Sequence, residues 1–545
     1  MSVTIDTELA LLIDTGTAWT KAGVIGRVRG RWRLVAHAAQ PTAWGEEELL
    51  RRLVEQLAAT ADTRLTGRFH ELLARATRVE CRTAVRPARL VVVAVSRELS
   101  GGAARRAAEA AGWHVVEMVT FDDGRTLAER VALLQSTVVD AWLLAGGFDE
   151  GRSPRALEAA ALVAAARRPG GAPVVWAGSS HLAGEVTALF EDGAATAVGN
   201  PRPDARRDEP SELRAHLQAL LRRTVAPEDE ERLTQVALPR AIGALAAATG
   251  FRVLAVDVGA SSALRVLAET DGTTHSRVHA RGGLAGAALL PGAPGRVSRI
   301  EVDAGEEPAV ADLLHNLRAR PASVPQTAEE LAATQAAARL LLASLVEDGA
   351  IGQLDLVVGC GRTIAAAPHP GQAMRMLLDG VRPVGVTQIA VDAGALLGPL
   401  GSLTEAEISE GLTLLADDLL VPLGTSVVSR GGDPGRVAMR VTVHRAGWPG
   451  HGPVDVRTGQ VLVVPLPRGH EAELTIELSA GVSLGAARRS PRITATATGG
   501  TVGLVLDARG APIALPRRAD DRRAVVASWS DALMREASPG SERVA

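Results

Sequence analysis

Two segments of this chain, about 240 residues apart, repeat one pattern: an apolar strand ending in an acid, a turn of the form Asp-x-Gly, and an apolar strand running back. The first comprises Leu9–Asp14, a turn at Gly16, Ala22–Val28, a break at Gly30 and Trp32–Ala38. The second comprises Val253–Asp257, a turn at Gly259, Ala263–Glu269, an Asp271-Gly272 turn and Thr273–Ala280. Each reads as a three-stranded meander, because short apolar runs punctuated by glycine turns suit hairpin-linked strands. The duplication predicts an α/β fold whose two halves face each other across a cleft.

Between the repeats, helical patterns at Glu46–Thr60 and Gly102–Ala111 alternate with buried-looking strands at Leu90–Val95, Ala141–Leu144 and Val174–Ala177. Such alternation predicts sheets covered by helices, with loops at strand ends free for ligands. The polar stretch Asn200–Glu212 reads as a linker or exposed loop. Ala328–Glu347 predicts a long helix that Thr327 and Glu330 open as a capping box, and the strand Leu354–Val358 follows. After about Val421 the texture changes to short valine-rich runs, Val437–His444, Val461–Leu466, Ala472–Leu478, Ile493–Ala497 and Val502–Leu506. These predict an antiparallel β-sandwich or barrel, closed by a helix Asp520–Glu536 with Val525, Val526, Trp529, Leu533 and Met534 on one apolar face. The expected domains are therefore 1–245 and 246–415 for the two α/β halves, the first with helical insertions, and 416–545 for a β-rich domain with a terminal helix.

Composition narrows the function. A formal charge of −3, the absence of tyrosine and an aromatic content of 2% leave neither a basic field nor stacking platforms, which argues against nucleic acid. Two cysteines, Cys81 and Cys360, make no disulfide framework and no CxxC metal pair. Without a signal-like leader or a long apolar run, a soluble cytoplasmic protein that does not enter membranes is expected. Lys21 is the sole lysine among 59 basic residues. Arginine substitutes for lysine on most surfaces, but its wide planar fork cannot replace a compact ammonium at a tight phosphate site. The position of the surviving lysine therefore carries weight.

That position lies seven residues after Asp14, in Asp14-Thr15-Gly16-Thr17-Ala18-Trp19-Thr20-Lys21. Gly16 admits close approach of a phosphate, Thr17 and Thr20 donate hydrogen bonds, Lys21 supplies a point charge, and Asp14 holds Mg²⁺ through water and is a candidate catalytic acid. The segment resembles the first phosphate loop of the actin, heat-shock chaperone and sugar-kinase superfamily. The second turn, Asp257-Val258-Gly259-Ala260-Ser261-Ser262-Ala263-Leu264, suits a second phosphate loop in which Asp257, Gly259, Ser261 and Ser262 contact phosphate and Asp257 serves Mg²⁺. It departs from the superfamily pattern at Ala260, Ala263 and Leu264, where a second glycine, a threonine and often a later aspartate stand; losing that carboxylate predicts binding that outlasts hydrolysis. A third turn, Gly359-Cys360-Gly361-Arg362, has the form used against adenosine, and Arg362 is placed to stack on a base.

Two further runs, Ala367-Pro368-His369-Pro370-Gly371-Gln372-Ala373 and Leu377-Leu378-Asp379-Gly380-Val381-Arg382-Pro383-Val384-Gly385-Val386-Thr387, join Leu143-Leu144-Ala145-Gly146-Gly147-Phe148-Asp149-Glu150-Gly151 and the two hairpins. Together they resemble the MutL family of glutamate-mutase-associated proteins, over roughly residues 8–405. The resemblance implies duplicated ribonuclease-H-like, actin-like ATPase halves around a nucleotide cleft, with ATP or ADP and Mg²⁺ bound. It places Asp14, Gly16, Lys21, Asp257, Gly259, Gly359 and Gly361 on nucleotide-site motif positions. It also implies an accessory role, as chaperone or reactivating factor, beside an adenosylcobalamin-dependent mutase. The chain departs from the family after Cys81, where Arg82-Thr83-Ala84-Val85-Arg86-Pro87 replaces a glycine-rich turn. Two alternatives stay open: a small-molecule kinase or amide-ring hydrolase with Asp149 as catalytic base, and a nucleotide-free scaffold. His369 is assigned no role, and the oligomeric state is left undetermined.

Overall fold

The computed structural model describes the chain apart from residues 1–8, 29, 61–68, 84–87, 152, 191–192, 226–229, 280–281, 347–350, 404–407, 409–410, 413–417, 445–450, 486–490 and 536–545. Two compact units emerge, one formed by Met1–Thr83, Glu231–Ser276 and Gly283–Ala545, the other by Ala84–Glu230 with Arg277–Gly282.

In the larger unit, β1 (Leu9–Thr15), β2 (Trp19–Val28), β3 (Arg31–Pro41) and β4 (Thr77–Arg82) form a sheet in the order β3-β2-β1-β4. The first three strands are the predicted antiparallel meander, and β4 runs parallel to β1. The helix Glu46–Thr60 begins with three glutamates, which suit the positive end of a helix dipole. Its Leu49 and Leu53 bury against Leu9, Leu11 and Ile13 of β1.

The smaller unit contains β5 (Arg89–Ala94), β6 (His114–Thr120), β7 (Ala141–Ala145), β8 (Val174–Trp176) and β9 (Ala195–Ala197), all parallel in the order β6-β5-β7-β8-β9. Alternate residues of β5 serve opposite faces. Leu90 and Val92 pack with Ala104, Leu213 and Leu217 from two helices, while Val91 and Val93 pack with Leu134, Ala156 and Val163 from two others. Coverage on both sides explains why these strands are continuously apolar. The expected first half, 1–245, thus contains a five-stranded sheet of its own, because periodicity shows that strands exist but not which ones pair.

The larger unit resumes with β10 (Val253–Val258), β11 (Ala263–Ala268), β12 (Thr274–Val278), β13 (Leu356–Cys360) and β14 (Gly385–Asp392). Their order is β12-β11-β10-β13-β14, with β11 antiparallel to β10, β13 parallel to β10 and β14 parallel to β13. This is the ribonuclease-H-like arrangement, and β3-β2-β1-β4 repeats its first four strands. One face is covered by helices Ala293–Ile300, Glu307–Ala319, Ala328–Val346 and Pro370–Val381, with Leu341 and Leu377 against Leu254 and Val256. Glu330 N donates to Thr327 Oγ1 at 3.2 Å, as the expected capping box requires. The glutamate side chain instead accepts from Gln326 N, one residue upstream. His369 caps its helix: its Nδ1 accepts from Gly371 N at 3.0 Å, and its own N–H donates to Gln372 Oε1 at 3.1 Å.

The C-terminal strands are β15 (Leu420–Val428), β16 (Arg430–Gly431), β17 (Val437–His444), β18 (His451–Arg457), β19 (Val461–Val464), β20 (Glu471–Leu478), β21 (Val482–Ser483), β22 (Arg492–Thr498) and β23 (Gly503–Asp507). They divide between two sheets. β15, β23 and β19 extend the central sheet beyond β14, while β18, β17, β20 and β22 form a separate antiparallel sheet. Val441 and Ile476 of the latter pack against Val427, Leu504 and Leu506 of the former. The expected sandwich is present, but the central sheet supplies one of its layers. The domain boundary expected at 415/416 lies outside the described residues, and the sheet is continuous from β14 to β15. The helix Ala519–Met534 closes the region by burying Val526, Trp529 and Leu533, whereas Met534 is exposed.

The join between β15 and β23 is a close approach of backbones. Gly424 pairs with Gly503 at a φ of 137°, and a Cβ on Gly424 would lie 1.9 Å from Gly503 O. Gly424→Ala should therefore destabilise the protein by about 1–3 kcal/mol, the usual cost of overpacking. The measurement is the urea midpoint, which should fall with an unchanged slope.

Candidate functional site

The hairpins β1–β2 and β10–β11 present matching tips. In the first, Asp14 pairs with Lys21 across the strands, and Gly16 N donates to Trp19 O at 3.0 Å to close the turn. In the second, Asp257 pairs with Leu264, and Gly259 N donates to Ser262 O at 2.9 Å. The tips meet, with Thr17 Oγ1 donating to Ser261 Oγ at 2.8 Å. Behind each hairpin the parallel strand places a cysteine beside the aspartate: Asp14 pairs with Cys81, and Asp257 with Cys360. Burial first, and the neighbouring aspartates next, push both thiols well above their ordinary range, so neither is a thiolate nucleophile.

Lys21 is 9% exposed and its Nζ lies 2.5 Å from Asp14 Oδ2. Burial by itself would lower the lysine's pKa, but Asp14, with Asp257 and Cys81 behind it, reverses the effect and the net shift is upward. The ammonium therefore stays charged. Burial pushes Asp257 up to about 7, with Lys21 opposing and Asp14 and Asp392 reinforcing. Burial also pushes Asp392 up to about 6, although its carboxylate accepts from Leu396 N at 3.1 Å and Leu397 N at 2.9 Å. One buried lysine thus faces three carboxylates.

Residue 361 shows why a glycine is needed. Gly361 has φ +82°, and a Cβ there would lie 2.4 Å from Asp257 Oδ1. At the corresponding place beside Asp14, Arg82 continues β4 and Thr83 N donates to Thr15 O at 3.0 Å. The departure noted in the sequence is therefore an extended backbone at Arg82 and Thr83; residues 84–87 lie outside the described set.

A cavity of about 130 Å³ opens between the hairpins. Asp14, Gly16, Thr17, Lys21, Asp257, Gly259 and Gly361 line it, together with residues 321–325 and Thr334 and Gln335 of the helix Ala328–Val346. Other expected contacts point elsewhere. Thr20 Oγ1 donates to Thr42 Oγ1 at 3.1 Å, Ser261 is engaged by Thr17, Gly359 lies within β13 against Ile364, and Ser262 contributes its carbonyl to the turn. Arg362 does line the cavity, where it stacks on Trp19 with its guanidinium 3.6 Å from the ring centroid. Asp149 belongs to the smaller unit, where its carboxylate accepts from Ser180 N at 3.0 Å and Asn200 Nδ2 at 3.2 Å. Asp392 was missed in the sequence, yet Asp392-Ala393-Gly394 is a third Asp-x-Gly at a strand end. Trp19 was missed as well, since only the fold brings it to Arg362.

Among the described residues, no three His, Cys, Asp or Glu side chains converge to cage a metal directly. The donor set does fit magnesium, which takes one or two carboxylates, keeps several waters and completes its shell with ligand phosphates. Asp14 and Asp257 are the residues that would hold it.

The strand order and the paired hairpins define a protein of the actin-like class. The MutL protein family model matches residues 10–281, and the chain belongs to that family. No curated protein is similar enough in sequence to count as a relative. Among solved structures, (R)-2-hydroxyglutaryl-CoA dehydratase component A of Acidaminococcus fermentans is 9% identical, covering 74% of this chain and 99% of its own, with a TM-score of 0.27. The activator of the 2-hydroxyisocaproyl-CoA dehydratase from Clostridium difficile, with bound ADPNP, is 11% identical over 74% and 97%, also at 0.27. A nucleotide-free acetone carboxylase is 10% identical over 85% and 82%, at 0.28. Scores this low add nothing to the strand order, on which the fold assignment rests.

Both raised acids favour the protonated form in the folded state. Their contribution to stability is fully present below about pH 4, the ordinary carboxylate value. It is lost as pH rises through about 6 for Asp392 and about 7 for Asp257. In buffer containing a chelator, melting temperature should fall between pH 5 and pH 8. Asp257→Asn should flatten that slope and melt above the parent at pH 8; thermal melts across the range provide the check, and an unchanged slope would contradict the assignment.

Proposed function

We infer that the protein binds ATP or ADP with Mg²⁺ between its paired hairpins and acts as a nucleotide-driven accessory factor, a chaperone or reactivating factor, for an adenosylcobalamin-dependent mutase. The observation that carries nucleotide binding is the meeting of two Asp-x-Gly hairpin tips over the buried Lys21–Asp14 pair. Backbone N–H groups of the turns, the hydroxyl of Thr17 and the Lys21 ammonium form a set of donors suited to phosphate oxygens. Magnesium, held through Asp14 and Asp257, would neutralise phosphate charge. The mutase partnership is supported by membership of the MutL family, whose resemblance implied it.

The geometry also suggests a switch. Small-molecule pockets run to roughly 300–1,000 Å³, whereas this cavity measures about 130 Å³. Admitting a nucleotide would part the hairpin tips and break the bond between Thr17 and Ser261. Opening and closure would then be linked to the phosphates bound, which is how a two-state element reports ligand state. Slow or absent hydrolysis fits the second hairpin, where the buried Leu264 occupies the place that Lys21 takes beside Asp14.

Thermal melts with Mg-ATP and Mg-ADP test this directly. A ligand at one hundred times its Kd stabilises by about 2.7 kcal/mol, so a concentration-dependent upward shift is expected. Lys21→Ala should remove more of the ATP shift than of the ADP shift. Absence of a shift and of calorimetric heat with the folded parent, with or without the mutase, would instead leave a nucleotide-free scaffold.

A further inference from the structure

A second cavity in the larger unit, of about 670 Å³, shares no lining residue with the hairpin cleft. Its walls come from the helices Ala293–Ile300, Ala328–Val346 and Pro370–Val381, from residues 512–515 and from Trp529. Much of the surface is aliphatic, with Ile300, Leu340, Val346, Val381, Ile513 and Leu515 contributing. The run Asp379–Val384, which plays no part in the nucleotide cleft, forms one side.

Four polar residues of the wall, Arg339, Arg375, Asp379 and Arg382, belong to a buried ionic network completed by Glu301, Asp507 and Arg509, which do not line the cavity. Arg339 bridges Glu301 at 2.7 Å and Asp379 at 3.1 Å, and Arg375 reaches Glu301 at 3.0 Å. Arg509 bridges Asp379 at 2.7 Å and Asp507 at 2.8 Å, and Arg382 reaches Asp507 at 3.1 Å. Among the described residues, four arginines therefore share three carboxylates in this network, an excess of one positive charge. The Nε atoms of Arg339, Arg375 and Arg382 are buried without a hydrogen-bond partner, although Arg339 is only 3% exposed. Buried donors and unbalanced charge are both costly, and an anion offsets both. Arg382 also stands at φ 54° in the left-handed position after its helix, where glycine is the usual residue. At the rim, Arg296 and Arg430 are exposed, and neither forms an ion pair with a described residue.

We propose that this cavity is a second ligand site, for a small monocarboxylate with an apolar body, independent of the nucleotide reading. The excess of positive charge matches an anion, guanidinium forks match the two oxygens of a carboxylate, and the aliphatic walls match a hydrocarbon body. Rim arginines draw the anion in and pair with it at the mouth.

The test is calorimetric titration of the full chain with sodium octanoate and with octanamide, its neutral counterpart. Octanoate should bind at one site, and octanamide at least tenfold more weakly. The double variant Arg296→Gln, Arg430→Gln removes only exposed side chains that pair with no described residue; it should fold and lose about tenfold in octanoate affinity. Ala343→Trp, which fills the cavity, should abolish binding. Failure of octanoate to bind, equal affinity for both compounds, or undiminished binding in the double variant would each overturn the proposal.

Discussion

The buried ion pair between Lys21 and Asp14 organises the cleft. Desolvating both charges is expensive, and their 2.5 Å contact repays that cost only while both partners remain. The β1–β2 register sets the two side chains opposite each other, and the turn closed by Gly16 fixes that register. The lysine field then reaches Asp257, opposing the upward push of burial, while at Asp392 the backbone N–H groups of Leu397 and Leu396 do most of that opposing. Remove the ammonium and Asp14, Asp257 and Asp392 lose a shared counter-charge, while Asp14 goes on raising the pKa of the other two.

Duplication explains why these groups converge, and its defects explain why the site is lopsided. Each half sets an aspartate at the end of its first strand, a glycine turn after it and a cysteine on the parallel neighbour. The halves then diverge: Lys21 corresponds to Leu264, and the extended Arg82 to the left-handed Gly361. Only the second half lets backbone pass against its aspartate, and only in the first is the aspartate paired across the hairpin with a cation. The two tips therefore offer a spanning ligand unlike chemistry, which would fix its orientation.

The hairpins, the strand–turn motifs and the long helix Ala328–Val346 were legible because local patterns determine them: alternating strands, glycine turns and a Thr–Glu cap. The five-stranded parallel sheet of residues 84–230 was not separable in advance, since strands such as Leu90–Val95 look alike whichever sheet they join. Nor was the union of β15, β23 and β19 with the central sheet, because pairing between strands distant in sequence leaves no local mark. The same limit applied to the cleft. Asp14, Lys21 and Asp257 could be named from spacing, but the stacking of Arg362 on Trp19, the turning of Thr20 toward Thr42 and the arrival of Asp392 are products of tertiary placement.

The single lysine and the many arginines come into focus once both electrostatic centres are compared. In the cleft, one compact ammonium stands between strands against one carboxylate oxygen. In the ionic network behind it, arginines reach two carboxylates at once: Arg339 spans Glu301 and Asp379, and Arg509 spans Asp379 and Asp507. A lysine offers a point charge where those bridges need separated, coplanar donors. Arginine also stacks on aromatic rings, as Arg362 does on Trp19 and Arg509 on Trp529. Arginine therefore suits the second centre, where forks bridge separated oxygens, whereas the first needs only a point charge against one carboxylate oxygen.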